Sequence, residues 1–326
     1  MFRRTVVGLA VLAVLAVSCS GPGARRPDPP GPGSGAAVDP WAAAPVADDP
    51  PGFAVTRALA DRACPKVAAP YFYRIEKAGK VSHILGTRHL GVSLNKMPAN
   101  IRQAIRAASV AVFEVAPGDD TGRLAPGGAR LPSQVGPELW GRYEKLVGRV
   151  AAANVEHGSP TEAMIAMLAL YEHKFAALDQ EIEQVVLQAK IPAQGLESAA
   201  FQQQLLVELL DVRMLRASIA GTPDRATLER ESVRDLTAYC AGTDDSPGMD
   251  GEARAQLRAG GYSDAEIDRL DDRLVHERNA DWIPKLEQIM ADGGAFIAVG
   301  ADHLTGARGV IALLAARGWK TARVPP

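Results

Sequence analysis

The 326-residue chain has little of what marks several common activities. Its three cysteines, at 19, 64 and 240, form no CxxC pair, which leaves zinc-ribbon and thioredoxin chemistry unsupported. Aromatic residues are 5% of the chain, and Lys+Arg 36 against Asp+Glu 38 gives a net charge of −2. Neither a stacking platform nor a basic run is present, so no nucleic-acid partner is expected. No P-loop and no GxGxxG turn offers a phosphate cradle. "GLES" (195–198) is not a GxSxG elbow, which weakens a serine hydrolase. "HERN" (276–279) lacks the second histidine of HExxH, which excludes a thermolysin-like zinc helix.

Long apolar runs are also missing. The longest, Val6 to Val17, is too short to span a bilayer comfortably, and Arg3 and Arg4 precede it, as in an export signal. "AVSC" (16–19) resembles a bacterial lipobox in which Cys19 becomes lipidated, with Ala16 where leucine is favoured; the alternative is an ordinary cleaved signal with Cys19 incidental. The expectation is an exported lipoprotein, anchored by lipid and facing the periplasm or the cell surface, with its signal over 1–19. Residues 20–52 are Pro/Gly-rich and aperiodic, a disordered tether, and the folded unit covers 53–326. Cys64 and Cys240 remain as an even pair in an oxidising compartment. Either they form a disulfide, worth at most roughly 5 kcal/mol, or they are two independent buried thiols.

What is present is alternation. "YFYRIE" (71–76) and "VSHILG" (81–86) read as a hairpin with Gly79 in its turn. A helix over 97–109 starts near Pro98 with Ile101, Ile105 and Ala108 on one face, and "VAVFEV" (110–115) is a buried strand. A helical run from 159 to 190 opens on a Ser159/Glu162 capping box with Pro160 at its first position. "IPAQGLE" (191–197) is a strand, and mostly helical sequence then runs to 290 with a break at 241–251. "GAFIAVG" (294–300), a helix over 306–318 and "KTARV" (320–324) complete an α/β (α+β) domain, a mixed β-sheet core with helices. A large helical insertion, about 138–290, separates its two halves.

Polar residues cluster where these strands end. His89 follows "ILGT", Glu114 nearly ends its strand, Glu197 ends "IPAQGLE", and His303 follows "IAVG". Loops at the carboxyl ends of strands in open α/β sheets converge on one crevice. Two histidines and two carboxylates suit a divalent transition metal. A unit of strand, glycine, two spacers and histidine occurs twice, at Gly86–His89 and Gly300–His303, and the glycines permit a sharp turn and close approach. The bland alternative is a turn histidine and a partnered carboxylate at each place. His83 reads as packed or supporting; His157, His173 and His276 rank low.

"GTRHLG…MP…VFEV", "LD…IPAQGLES", "ERNADWIPKL" and "FIAVGADHLTGARGVIALLAARGWKTARV" resemble the TraB/GumN family, which includes the TIKI metalloproteases, from about Tyr71 to Val324. The resemblance implies a fold like the erythromycin-esterase and ChaN group. It also implies a site of two GxxH motifs with two acids, associated with manganese- or cobalt-dependent peptidase activity. The matching positions are Gly86, His89, Glu114, Glu197, Arg278, Gly300 and His303. Departures are Ala177 before Leu178 and Asp179, where relatives have Gly-Leu-Asp, and Ser198 where threonine is common; Arg88 and Asp302 fill the variable slots.

The expected roles follow. His89 and His303 ligate a divalent ion, manganese, cobalt or zinc. One of Glu114 and Glu197 completes the shell and the other acts as general base. Arg278 binds an oxyanion or a substrate carboxylate with Asn279 supporting it, and a surface ion pair is the alternative. The expected function is a lipid-anchored metal-dependent hydrolase acting on a peptide or protein. A non-catalytic protein that sequesters a peptide or signalling molecule in the same crevice, and a scaffold with structural histidines, compete with it.

Overall fold

The computed structural model describes residues 57–119, 129–169, 177–243, 249 and 251–326. The signal, Cys19 and tether expected over 1–52, and His173, lie outside them.

The hairpin forms as its sequence requires. Strands β1 (Phe72–Lys77) and β2 (Lys80–Thr87) pair antiparallel, with Ala78 (φ 50) and Gly79 (φ 76) in a two-residue loop. Both left-handed values match the turn whose twist suits a two-residue hairpin. Strands β3 (Val110–Val115), β4 (Ala193–Glu197), β5 (Ala295–Gly300) and β6 (Lys320–Arg323) complete one mixed sheet in the order β4-β3-β5-β2-β1-β6. β5 is buried along its whole length, as a central strand covered on both faces must be.

The strand order assembles the site. β4, β3, β5 and β2 run parallel, so Glu197, Val115, Gly300 and Thr87 end at one edge. β5 lies between β3 and β2, which makes the two histidine-bearing strands neighbours and sets Glu114 on the other side of the later one.

The helices are α1 (Arg57–Ala63), α2 (Ala99–Arg106), α3 (Leu131–Val135), α4 (Pro137–Val147), α5 (Arg149–Val155), α6 (Pro160–Ala169), α7 (Leu178–Gln188), α8 (Ala199–Leu209), α9 (Val212–Gly221), α10 (Arg225–Ala241), α11 (Gly251–Ala259), α12 (Asp264–Asp271), α13 (Glu277–Met290) and α14 (Val310–Ala316). α2 buries Ile101 and Ile105 and stops at Arg106, so Ala108 follows the helix instead of extending its face. The capping box of α6 is made: Ser159 N–H donates to Glu162 and Glu162 N–H to Ser159 Oγ, at 2.7 and 3.1 Å. The run expected over 159–190 is two helices, α6 and α7, with 170–176 outside the described residues. Between α12 and α13 the chain widens into a π-helical turn, Asp272–His276, where Glu277 N–H reaches Asp272 O. Such turns often mark functional sites.

Cys64 and Cys240 are joined as a disulfide, their Cα atoms 5.7 Å apart, tying the residue after α1 to the end of α10. Among the described residues no helix is long and apolar enough to cross a membrane.

Candidate functional site

Arg278, on the first turn of α13, is the centre of the arrangement, and only 2% of its surface is exposed. Its five N–H donors all find protein acceptors. Nη2 donates to Glu114 Oε2 and to Glu197 Oε1, both at 2.7 Å. Nε donates to Glu197 Oε2 at 3.0 Å, and Nη1 donates to Leu274 O at 2.9 Å and His303 Nε2 at 3.2 Å. A surface ion pair is thereby ruled out. So is a ready oxyanion donor, because no N–H is left over in this arrangement.

The two glutamates share that cation and diverge in character. Gln202 of α8 bridges them as well, its Nε2 at 3.2 Å from Glu114 Oε2 and 3.1 Å from Glu197 Oε1. Burial alone would raise the Glu114 carboxyl. Arg278, His303, His89 and the Gly300 N–H outweigh burial and hold it at about 2. Burial pushes Glu197 up; Arg278 opposes this, the neighbouring Glu114 charge adds to it, and the Trp282 indole, 3.2 Å from Oε2, offsets a little. The difference is the second set of partners: Glu114 has a backbone donor at 2.8 Å and two imidazoles, and Glu197 has a like charge.

The histidines meet over Gly300. A Cβ built on that glycine would lie 3.2 Å from Glu114 Oε1, 3.5 Å from His303 Cδ2 and 4.0 Å from His89 Nε2. Both rings are oriented from behind. His89 Nδ1 donates to Asp179 Oδ2 at 2.5 Å, and His303 Nδ1 to Asn279 Oδ1 at 2.7 Å. These tautomers follow from the partners, since a guanidinium only donates and His303 Nε2 must accept from it. Burial, then Arg278, pushes His303 down to about 3, which keeps it neutral. Asn279 thus supports His303, not Arg278, and its own amide donates to Arg308 O at 3.0 Å.

A divalent ion needs several lone pairs turned to one point. An Nδ1 held by a carboxylate or amide, with Nε2 turned to the site, is how ligating imidazoles are usually fixed. His303 Nε2 lies 3.8 Å from Glu114 Oε1, and two atoms each about 2.1 Å from one ion stand roughly 3–4 Å apart. His303 Nε2 and Glu114 Oε1 are therefore spaced for one ion and His89 Nε2 borders the same space, but His303 would first have to release Arg278 Nη1. Glu197 fits less well, because Arg278 and Trp282 already use both of its oxygens. As the side chains stand, no cluster of three His, Cys, Asp or Glu groups among the described residues encloses an ion. The His303 lone pair that an ion would take is the one Arg278 Nη1 donates to.

A cleft of about 100 Å³ opens beside this centre, lined by His89, Glu114, Asp179 and Glu183 together with apolar Phe113 and Val115. It suits a few waters or one small group, not a whole drug-sized ligand. Burial, with the Asp179 charge one helical turn away, pushes Glu183 up to about 7. Sequence reasoning passed over Asp179 as a partner of His89, and Gln202 and Glu183 altogether. For Asp179 a signal existed in the Leu178–Asp179 pair of the quoted resemblance; Gln202 and Glu183 sit on helix faces that carry none. His83 is packed, its ring 5.2 Å from Phe72, and His157 is exposed.

Neither a curated protein nor a solved structure matches the chain. Residues 71–323 match the TraB/PrgY/gumN family, a span that runs from the start of the hairpin to the last strand and includes both histidine motifs, both glutamates and Arg278. The chain belongs to the TraB/PrgY/gumN family.

Proposed function

We propose that the chain is a metal-dependent hydrolase of peptide bonds, exported and held to a membrane by lipid on Cys19. The observation that carries this reading is the pair of imidazoles fixed through Nδ1 by Asp179 and Asn279 so that both rings border the space over Gly300 with Glu114. His89, His303 and Glu114 are the residues that would hold the ion. With a divalent ion in place, the chemistry supplied is polarisation of a carbonyl and ionisation of water near neutral pH.

The chain's own groups do the rest. Glu114, held at about 2, is a poor base and a good permanent anion. Glu197 has its oxygens occupied, and it anchors Arg278. Glu183, at about 7 and lining the cleft, is the group best matched to accept a proton and return it to a leaving amine. The small cleft supports a substrate that enters as an extended segment. Export is supported by the charged, apolar start of the chain and by the Cys64–Cys240 disulfide, a bond that persists in oxidising compartments.

The test is metal content and cleavage of a peptide library by the purified full chain and by His89→Ala and His303→Ala. The parent should carry about one divalent ion per chain and cleave; each variant should lose both. Metal retained in both variants contradicts the reading. A parent that binds metal and peptide without cleaving any favours the sequestering alternative.

A further inference from the structure

We propose that Tyr239 is a positioning residue for His89, and that the Cys64–Cys240 disulfide keeps it in that role. Gly86 is the point where the two histidine-bearing turns touch. A Cβ there would meet Ala301 Cα at 3.0 Å and Leu304 Cδ1 at 2.9 Å, both from the second turn, and Tyr71 Cβ at 2.8 Å. Its backbone is held from two sides: its N–H donates to Tyr71 O at 2.7 Å, and its carbonyl accepts the Tyr239 hydroxyl at 2.8 Å.

Tyr239 lies far from Gly86 in sequence, on α10, and is buried. Burial pushes its phenol up, so the hydroxyl stays a donor. The next residue, Cys240, is bonded to Cys64, and its carbonyl accepts Ala68 N–H at 2.8 Å. Two adjacent residues of one helix thus make two different attachments. One fastens α10 to the segment leading into β1, and the other fastens the carbonyl three residues before His89. Because Gly86 packs directly on Ala301, a shift of that carbonyl changes the spacing of the two imidazoles and the bond from His89 Nδ1 to Asp179. The inference concerns the same site as the proposed function, but it is read on the protein without metal or substrate.

The experiment follows the imidazole Nδ1–H signals of His89 and His303 by NMR, assigned with the two alanine variants, together with thermal melting. Tyr239→Phe keeps the ring and removes the hydroxyl. The expected result is at least tenfold faster exchange of the His89 Nδ1–H proton, with the His303 signal less affected. Tyr143→Phe is the matched control, since Tyr143 also donates one buried hydrogen bond, to Ala163 O at 2.9 Å, away from the site. It should lower the melting temperature and leave His89 unchanged. The paired variant Cys64→Ser/Cys240→Ser, or reduction of the parent, should reproduce the His89 effect even if Tyr239→Phe fails to fold. Unchanged His89 exchange in a folded Tyr239→Phe protein overturns the positioning role. Unchanged exchange after loss of the disulfide overturns its part. Either result is independent of whether the chain binds metal.

Discussion

The two Gly-x-x-His turns share a spelling and differ in construction. Gly86 lies inside β2 and is packed shut by the backbone of the other turn; Gly300 ends β5 and opens onto Glu114 and both imidazoles. His303 is closed in by Arg278, Asn279 and Trp282, whose ring lies 4.5 Å away. His89 is backed by a carboxylate and borders the cleft. One motif is thus a buried, neutral anchor and the other, under the proposed function, the working face. Identical spacing specifies a turn, and the surrounding helices specify its duty.

The largest effect should come from the anchor side. Arg278→Met leaves Glu114 and Glu197 buried without their shared cation, and should cost about 3–5 kcal/mol in urea denaturation. A variant as stable as the parent would show that Arg278 does not anchor the two carboxylates.

The glycines come next. Gly86→Ala forces a backbone shift and should cost about 1–3 kcal/mol. Gly300→Ala meets only side-chain atoms at 3.2 Å or more; it should melt near the parent yet lose metal uptake, because the methyl fills the space between the imidazoles. Equal melting of the two variants would erase the distinction.

Acid should act through the anchor too. His303 has its folded pKa lowered to about 3, so the stability it contributes is complete above its ordinary value of 6.5 and is lost as pH falls toward 3. Glu114, lowered to about 2, contributes above its ordinary value of 4.5 and loses this as pH falls toward 2. Glu197, raised, runs the opposite way and offsets part of it. Glu183, raised to about 7, adds stability as pH falls from 7 to 4.5, where His303 loses it. The melting temperature should therefore fall mainly below pH 4.5, and His303→Gln should flatten that slope.

On the working face the effects on stability should be small and those on chemistry specific. Asp179→Asn should weaken metal affinity about 10–100-fold with little change in melting. Glu183→Gln should lower kcat roughly 100-fold and leave KM nearly unchanged.

Much of the anchor was legible in the sequence. Apolar runs ending at or near Glu114, Glu197 and Gly300 announce strands whose polar ends face one crevice, and Arg278 and His303 both sit in segments of the family resemblance, His303 in the most specific one. The working face was less legible. Asp179 and Glu183 lie one turn apart on α7, where an acidic face reads as solvated surface until the fold turns it toward His89. Gln202 has the same difficulty on α8. The π-turn before Arg278, which places Leu274 O under its guanidinium, has no sequence signature of its own. Strand order was the other hidden fact, because pairing β5 between β3 and β2 depends on contacts across the whole chain.

Under the proposed function, His89, His303 and Glu114 would together hold one divalent cation. Anomalous scattering from crystals of the protein grown with manganese would locate that cation. One strong peak is expected in the space over Gly300, beside those three side chains. A strong peak elsewhere on the molecule, with none over Gly300 and Arg278 still bonded to His303, would contradict that reading.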